Sequence, residues 1–425
     1  MNAFDKIIGY QSIKEELIIL ADMMKNSDKY ARLGVCMPRG VLLYGEPGVG
    51  KTLMANCLIE ASGRKVFTLR KDKPNGDFVL SIHDTFCKAK AEQPSIVFLD
   101  DMDKFAESQR FHSNAEEFVA VQSCIDDVAN DDVFVIATVN NDDYLPDSLL
   151  REGRLGRKLR IEAPRGQDAV EIVRHFLSQK KCVAEVDAAA VAKMLNGDSC
   201  ARLDAVINEA GIYAAMSGKE LIDLDDMIRG ILRVKFDAPE SVDDTPQDVL
   251  LANAYHEAGH AVVAETLEPE SVCLVSILAH EGDIGGVTDY YRSERYWTDI
   301  DYMQNRVVAL LAGKAATELV YGKVDVGAGS DLHRAHDIVD RMVDHYCASA
   351  FDSYERDEMT GEGVRNRKEV RMAIEMEKAY AQAKRILAEN RTFLDALAHA
   401  LVEKKTLVAS DILRIKDEIK QEEFL

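Results

Sequence analysis

The sequence predicts a multidomain chain, an α/β domain built on a parallel sheet followed by mostly helical domains. Three observations carry this. Short apolar runs alternate with helical patterns up to about residue 161. From Gln167 to about Lys235 only helical patterns occur. After an acidic stretch with two prolines, 237–246, the chain is again strongly helical, with one strand near the start. Apolar strands alternating with helices argue for a parallel sheet covered on both faces.

Taken in order, Asp5–Tyr30 reads as amphipathic helix. Val41–Tyr44 is an apolar strand that stops at a Gly-rich turn, and Leu53–Ser62 follows as helix. Further strands fall at Val66–Leu69, Ile96–Leu99, Val133–Thr138 and Leu159–Ile161. Pro164-Arg165-Gly166 closes this region, and Asp168–Lys180, Ala188–Leu195 and Ala201–Met216 then read as a small helical lid. In the last region, Val272–Leu278 is a strand, Asn305–Tyr321 a helix, and Arg371–Lys420 reads as helices throughout. The domains expected are 1–165, a lid at 166–236, a linker at 237–247 and a final domain at 248–425.

Composition narrows the function. The formal net charge of -22 argues against a broad basic surface for nucleic acid. The eight cysteines form no CxxC pair, which fits reduced thiols and the cytoplasm. The first residues, MNAFDKIIGYQSIKEEL, are no signal peptide, and no run of about 18 apolar residues predicts a membrane span.

Gly45-Glu46-Pro47-Gly48-Val49-Gly50-Lys51-Thr52 fits GxxxxGK[ST], between a strand and a helix as the motif requires. The glycines let backbone N–H groups wrap phosphates at a helix N-terminus. Lys51 is expected to reach the β- and γ-phosphates of a nucleotide, and Thr52 to hold Mg²⁺. Asp100 and Asp101 end the strand Ile96–Leu99; the first is placed to hold Mg²⁺ through water, the second to polarise the attacking water.

His256-Glu257-Ala258-Gly259-His260 is HExxH on a plausible helix. Residues i and i+4 share a helix face, so both imidazoles can bind one metal, and Glu257 can serve as proton carrier beside them. Gly259 costs a helix about 1 kcal/mol against Ala, which hints at a packing or functional demand. A third ligand is needed. The extended signature with a third His at position 266 is absent, because Thr266 stands there.

The runs FDKIIGYQSIKEEL, KYARLGVCMPRGVLLYGEPGVGKTLMA, PSIVFLDDMD and LLREGRLGRKLRIEAP, together with the HExxH helix, resemble the FtsH-type ATP-dependent zinc proteases, from Phe4 nearly to the end. The resemblance implies an AAA+ P-loop sheet with its helical lid, fused to a mainly helical zinc-peptidase domain. It implies Asn140 as the sensor residue, and Arg154 and Arg157 as arginine fingers reaching a neighbour's ATP in a ring, normally a homo-hexamer. It supplies Asp331, in Val326-Gly-Ala-Gly-Ser-Asp331-Leu, as the third Zn²⁺ ligand, with capping of the following helix as the plainer role. Glu318 reads as a support for a ligand or, more simply, a solvated helix residue; His333 and His336 read as surface or supporting residues.

Two departures stand out. Asp101 occupies a position where the family usually has Glu, and no aromatic stands at the substrate-gripping loop, 70–78, for which Phe78 is the nearest substitute. The family's N-terminal membrane anchor is not in this sequence, so a cytoplasmic protein is expected, membrane-associated only if an anchor once preceded it. The leading reading is a zinc endopeptidase that unfolds and cuts protein substrates, driven by ATP hydrolysis. The alternatives are a peptidase whose nucleotide only assembles the ring, and a remodelling ATPase without proteolysis.

Overall fold

The structure, a computed structural model, describes residues 2–71, 78–105, 115–181, 183–238, 245–278, 285–291, 299–323, 327–348 and 362–423. The chain divides into two compact units, Met1–Asn208 and Glu209–Leu425.

The first unit is built on β1 (Gly40–Tyr44), β2 (Lys65–Leu69), β3 (Ser95–Leu99), β4 (Val133–Val139) and β5 (Arg157–Arg160), in the order β2-β3-β4-β1-β5. All four pairings are parallel. β3 and β4 are buried along their whole length, as near-continuous apolar runs in a two-sided sheet must be. Register decides where the chemistry goes: Tyr44 pairs with Val139 and Leu99 with Ala137. Gly45, Asp100 and Asn140 therefore leave the sheet at the same C-terminal edge, the usual place for a ligand in an open α/β sheet.

Helices α3 (Lys51–Ser62), α4 (Phe78–Ala91) and α5 (Ala115–Asp127) connect these strands. The helix expected at Asp5–Tyr30 is three pieces: a 3₁₀ turn at Ala3–Lys6, α1 (Gln11–Lys25) and α2 (Ser27–Ala31). Gly9 and Tyr10, both at positive φ, separate the first two. Next come α6 (Gly166–Ser178) and α7 (Ala188–Met194), the latter capped by Asp187, and α8 (Cys200–Met216), which runs across the division.

In the second unit, α9 (Leu224–Phe236) starts with a capping box of Asp223 and Asp226 and stops at Asp237 in the left-handed region. Residues 239–244 of the expected linker lie outside the described residues. The central element is α10 (Gln247–Leu267), buried on all sides from Glu257 to Glu265. A helix apolar all round belongs in a core, and α10 sits in one with α11 (Ile300–Leu310), α12 (Ala312–Tyr321), α14 (Glu362–Glu389) and α15 (Arg391–Lys404). A Cβ at Gly259 would lie 2.6 Å from the Cβ of Ala316 and 2.7 Å from the Ala312 carbonyl. The glycine is there because α10 and α12 touch backbone to backbone.

Three features of this unit differ from the sequence reading. The single helix at Asn305–Tyr321 is two helices, divided at Leu311. The expected strand Val272–Leu278 ends early as β6 (Val272–Ser276), in a small antiparallel sheet β7-β6-β8. Its neighbours β7 (Val287–Tyr290) and β8 (Thr406–Val408) were not foreseen. β8 interrupts the predicted run of C-terminal helices, because Lys405 at φ 65° ends α15 and turns the chain onto β6 before α16 (Ala409–Glu423). The remaining helix, α13 (Gly329–Asp344), follows residues 324–326, which are outside the described set.

Candidate active sites

In the second unit, α10 projects His256 and His260 one turn apart on one face. Asp331 arrives from the first turn of α13, some 70 residues later in the chain. Its Oδ2 lies 3.3 Å from His256 Nε2 and 3.1 Å from His260 Nε2, and the two Nε2 atoms are 3.1 Å apart. The three side chains are only 12%, 5% and 15% exposed.

These separations test the fit to a metal. Two ligand bonds of about 2.0–2.1 Å at a tetrahedral angle hold their donor atoms about 3.3–3.4 Å apart. The triangle has edges close to that length. His260 Nδ1 lies 2.7 Å from the carbonyl oxygen of Ala309. That carbonyl can only accept, so Nδ1 carries the proton and Nε2 offers a lone pair inward. Burial pushes the Asp331 carboxyl up, but when the imidazoles of His260 and His256 carry a proton in place of a metal their charge outweighs it and holds the group well below the usual carboxylate range. Asp331 stays an anion, as a ligand must. Its plainer role as a helix cap does not hold, since the N-cap of α13 is Ala328 and Asp331 sits inside the first turn. Two imidazole nitrogens and one carboxylate oxygen are a donor set that suits Zn²⁺.

Glu257 is 6% exposed. Its Oε2 accepts a 2.7 Å hydrogen bond from the Thr288 hydroxyl on β7. Gly313 on α12 faces the histidines so closely that a Cβ there would lie 2.5 Å from both Nε2 atoms.

In the first unit, the P-loop joins β1 to α3. Gly45, at φ 147°, has no room for a side chain against the Ile161 carbonyl, and Gly50 enters α3 at φ 100°. Lys51 Nζ donates to the carbonyls of Gly45 (2.6 Å) and Glu46 (2.8 Å) and to Asn140 Oδ1 (3.0 Å). Thr52 Oγ1 donates to Asp100 Oδ1 at 3.1 Å, and the Thr138 hydroxyl donates to the same oxygen at 2.9 Å. Burial lowers the Lys51 ammonium, against the opposing charges of Asp103, Asp101 and Asp100. Asp101 has φ 53°, and its carboxylate pairs with Lys104 at 2.7 Å and Arg70 at 3.6 Å.

Comparison with known proteins matches one family to each of the two regions. Residues 41–163 match the ATPase family associated with various cellular activities (AAA), and residues 251–415 match peptidase family M41. The chain is 32% identical to ATP-dependent zinc metalloprotease FtsH 1 of Thermomicrobium roseum, over 98% of this chain and 68% of that one. It is 30% identical to the FtsH of Caldicellulosiruptor bescii, over 97% of this chain and 71% of that one. With FtsH 2 of a Thermoanaerobacter strain the identity is 29%, over 98% and 83%. The chain belongs to the FtsH family of ATP-dependent zinc metalloproteases. The cofactors of an FtsH-type enzyme are Zn²⁺, ATP and Mg²⁺.

Against this family, the predicted residues fare as follows. His256, His260 and Asp331 come together. Lys51, Thr52, Asp100 and Asn140 gather at the P-loop, Lys51 bonded to Asn140 and Thr52 to Asp100. Arg154 and Arg157 do not join that cluster. Arg154 makes a two-pronged pair with Asp126, 2.7 Å on each side, and also donates to the Ser148 carbonyl. Arg157 pairs with Glu16 on α1. Glu318 touches none of the three proposed ligands: its side chain is half-buried and binds Tyr380 and Lys384, tying α12 to α14. His333 and His336 are exposed. Phe78 turns inward, edge to face with buried Phe105 at 5.1 Å; residues 72–77 of the gripping loop lie outside the described residues.

Sequence reasoning missed Asp103, Thr138, Thr288 and Gly313. Asp103 accepts from Asn140 Nδ2 at 2.7 Å and so orients the Asn140 amide. Its place two residues after Asp101 was a usable signal. Thr138, Thr288 and Gly313 gave none, because each meets its partner only through the fold.

Proposed function

We propose that the chain cuts proteins at the His256–His260–Asp331 site while ATP hydrolysis at the P-loop unfolds and feeds them. The observation that carries this is the ligand triangle with Glu257 beside it, in one chain with a complete P-loop. His256 Nε2, His260 Nε2 and an Asp331 oxygen would hold the metal. Zinc held there supplies Lewis acidity for activating water and polarising a peptide carbonyl. Glu257 takes a proton from the attacking water and returns it to the departing amine. Ala309 keeps His260 in the tautomer that ligates.

At the other site, the P-loop amides and Lys51 hold the ATP phosphates, Thr52 and Asp100 hold Mg²⁺, Asp101 polarises water and Asn140 senses the γ-phosphate. Arg154 and Arg157 act on the ATP of a neighbouring subunit in a homo-hexamer, after Arg154 leaves Asp126. The domains are 1–165, 166–236, 237–247 and 248–425. No helix among the described residues is long and apolar enough to cross a membrane. The seven described cysteines are free, which supports a cytoplasmic setting.

Mixing tests the ring. Lys51→Ala subunits lack the phosphate-binding ammonium and Arg154→Ala subunits lack the finger. ATP turnover recovered on mixing two inactive variants supports shared sites, and no recovery at any ratio counts against them. One observation favours a second reading, a peptidase whose nucleotide chiefly assembles the ring: Asp101 is a short carboxylate held by Lys104 and Arg70.

A further inference from the structure

Thr288 and Tyr290 share one face of β7, since side chains alternate along a strand, and Gly286 stands just before its first residue. That face meets Glu257. A Cβ at Gly286 would come within 2.6 Å of Glu257 Cγ and 2.8 Å of Oε1, so the backbone leading into β7 lies directly against the carboxylate side chain. The Thr288 hydroxyl lies 2.7 Å from Glu257 Oε2 and 3.2 Å from the carbonyl oxygen of the same residue. A hydroxyl has one proton, and the shorter contact to a charged acceptor takes it.

The strand that carries Thr288 is itself fixed. β7 pairs antiparallel with β6, Thr288 opposite Val275. The next residue, Asp289, pairs with Lys235 in the last turn of α9 at 2.9 Å, both side chains 15% exposed. A terminal carboxylate torsion is otherwise broad. Anchoring Oε2 to a fixed strand removes that freedom and reserves Oε1 for the proton it must take, and general-base catalysis depends on such placement.

We infer that Thr288 is a positioning residue for Glu257, holding one carboxylate oxygen so that the other is presented to the attacking water. This rests on the reading of Glu257 as the proton carrier. Nothing in the HExxH signature points to it, because Thr288 lies 31 residues beyond Glu257.

The test compares Thr288→Val, which keeps the branched shape and strand preference but removes the donor, with Thr288→Ser, which keeps the donor. Full-length zinc-loaded protein is assayed on a short unstructured fluorogenic peptide for kcat and KM, with zinc stoichiometry and melting temperature measured in parallel. Thr288→Val is expected to lose about 10-fold or more in kcat, an ordinary cost for a misplaced base, with KM, zinc content and melting temperature near wild type. Thr288→Ser should retain most of the wild-type kcat. Unchanged kcat in Thr288→Val, an equal loss in Thr288→Ser, or a loss explained by missing zinc would overturn the assignment. Glu257→Gln runs alongside: if it is as active as wild type, the proton-carrier reading itself fails, a result distinct from any Thr288 outcome.

Discussion

Gly313 and His260 meet so closely that a Cβ on the glycine would stand 2.5 Å from the imidazole Nε2. The same atom would stand 2.5 Å from Nε2 of His256, so the conflict falls on two of the proposed ligand atoms at once. Both rings sit on the buried helix α10, and His260 is further tied to Ala309. They have little room to retreat. Gly313→Ala is expected to cut zinc affinity at least 10-fold while leaving ATP turnover intact, since that site lies in the other unit. Competition with a chromogenic chelator measures the first and phosphate release the second.

Asp101 makes a second prediction. Its carboxylate is one methylene shorter than the family's Glu and is already paired with Lys104. A side chain extended by about 1.5 Å reaches further toward the attacking water. Asp101→Glu should raise the rate of ATP hydrolysis, and Asp101→Asn should lower it about 10-fold or more with nucleotide affinity unchanged. Steady-state turnover and binding of a fluorescent nucleotide separate the two effects. A fall in Asp101→Glu would mean that the local geometry is built around the shorter acid.

Asn140 works through Asp103. The carboxylate holds the amide Nδ2 at 2.7 Å, which turns Oδ1 toward Lys51. Asp103→Ala frees the amide to rotate. ATP turnover is expected to fall several-fold, and mant-nucleotide affinity to change less than twofold.

Cys124 gives a pH dependence. It is 3% exposed, and burial, reinforced by Asp127 and Cys87, pushes its thiol up to about 11 from an ordinary value of 9.0. Below pH 9 the thiol keeps its proton folded or unfolded, so it adds no pH dependence. Above pH 9 the unfolded chain loses the proton first, and stability falls as pH rises toward 11. Denaturant midpoints at pH 8 and 10.5 should drop more in wild type than in Cys124→Ala. Exposed Cys36 and Cys87 should react with a disulfide reagent at pH 8 long before Cys124.

What could be read ahead of the structure was local. The P-loop and HExxH announce themselves because their parts lie within eight residues, and the strands β1 to β4 because apolar runs between breakers leave few choices; β5, Arg157-Lys-Leu-Arg160, carries three cations and starts two residues before the apolar run expected at Leu159–Ile161. Asp331 was reachable only through resemblance, being 71 residues from His260. Gly313 and Thr288 answer to distances across helix and strand packing that no spacing encodes. β7 is four residues of mixed polarity and β8 only three, too short for a period to show. The break at Leu311 hides inside an unbroken apolar pattern.

The most direct measurement of the central claim is degradation of unfolded casein by the zinc-loaded chain, run with ATP, with a non-hydrolysable analogue and without nucleotide, with Glu257→Gln as the blank. Cleavage that needs hydrolysable ATP and disappears in Glu257→Gln is the predicted result. Cleavage that proceeds equally with the analogue would contradict the coupling, and cleavage undiminished in Glu257→Gln would contradict the site.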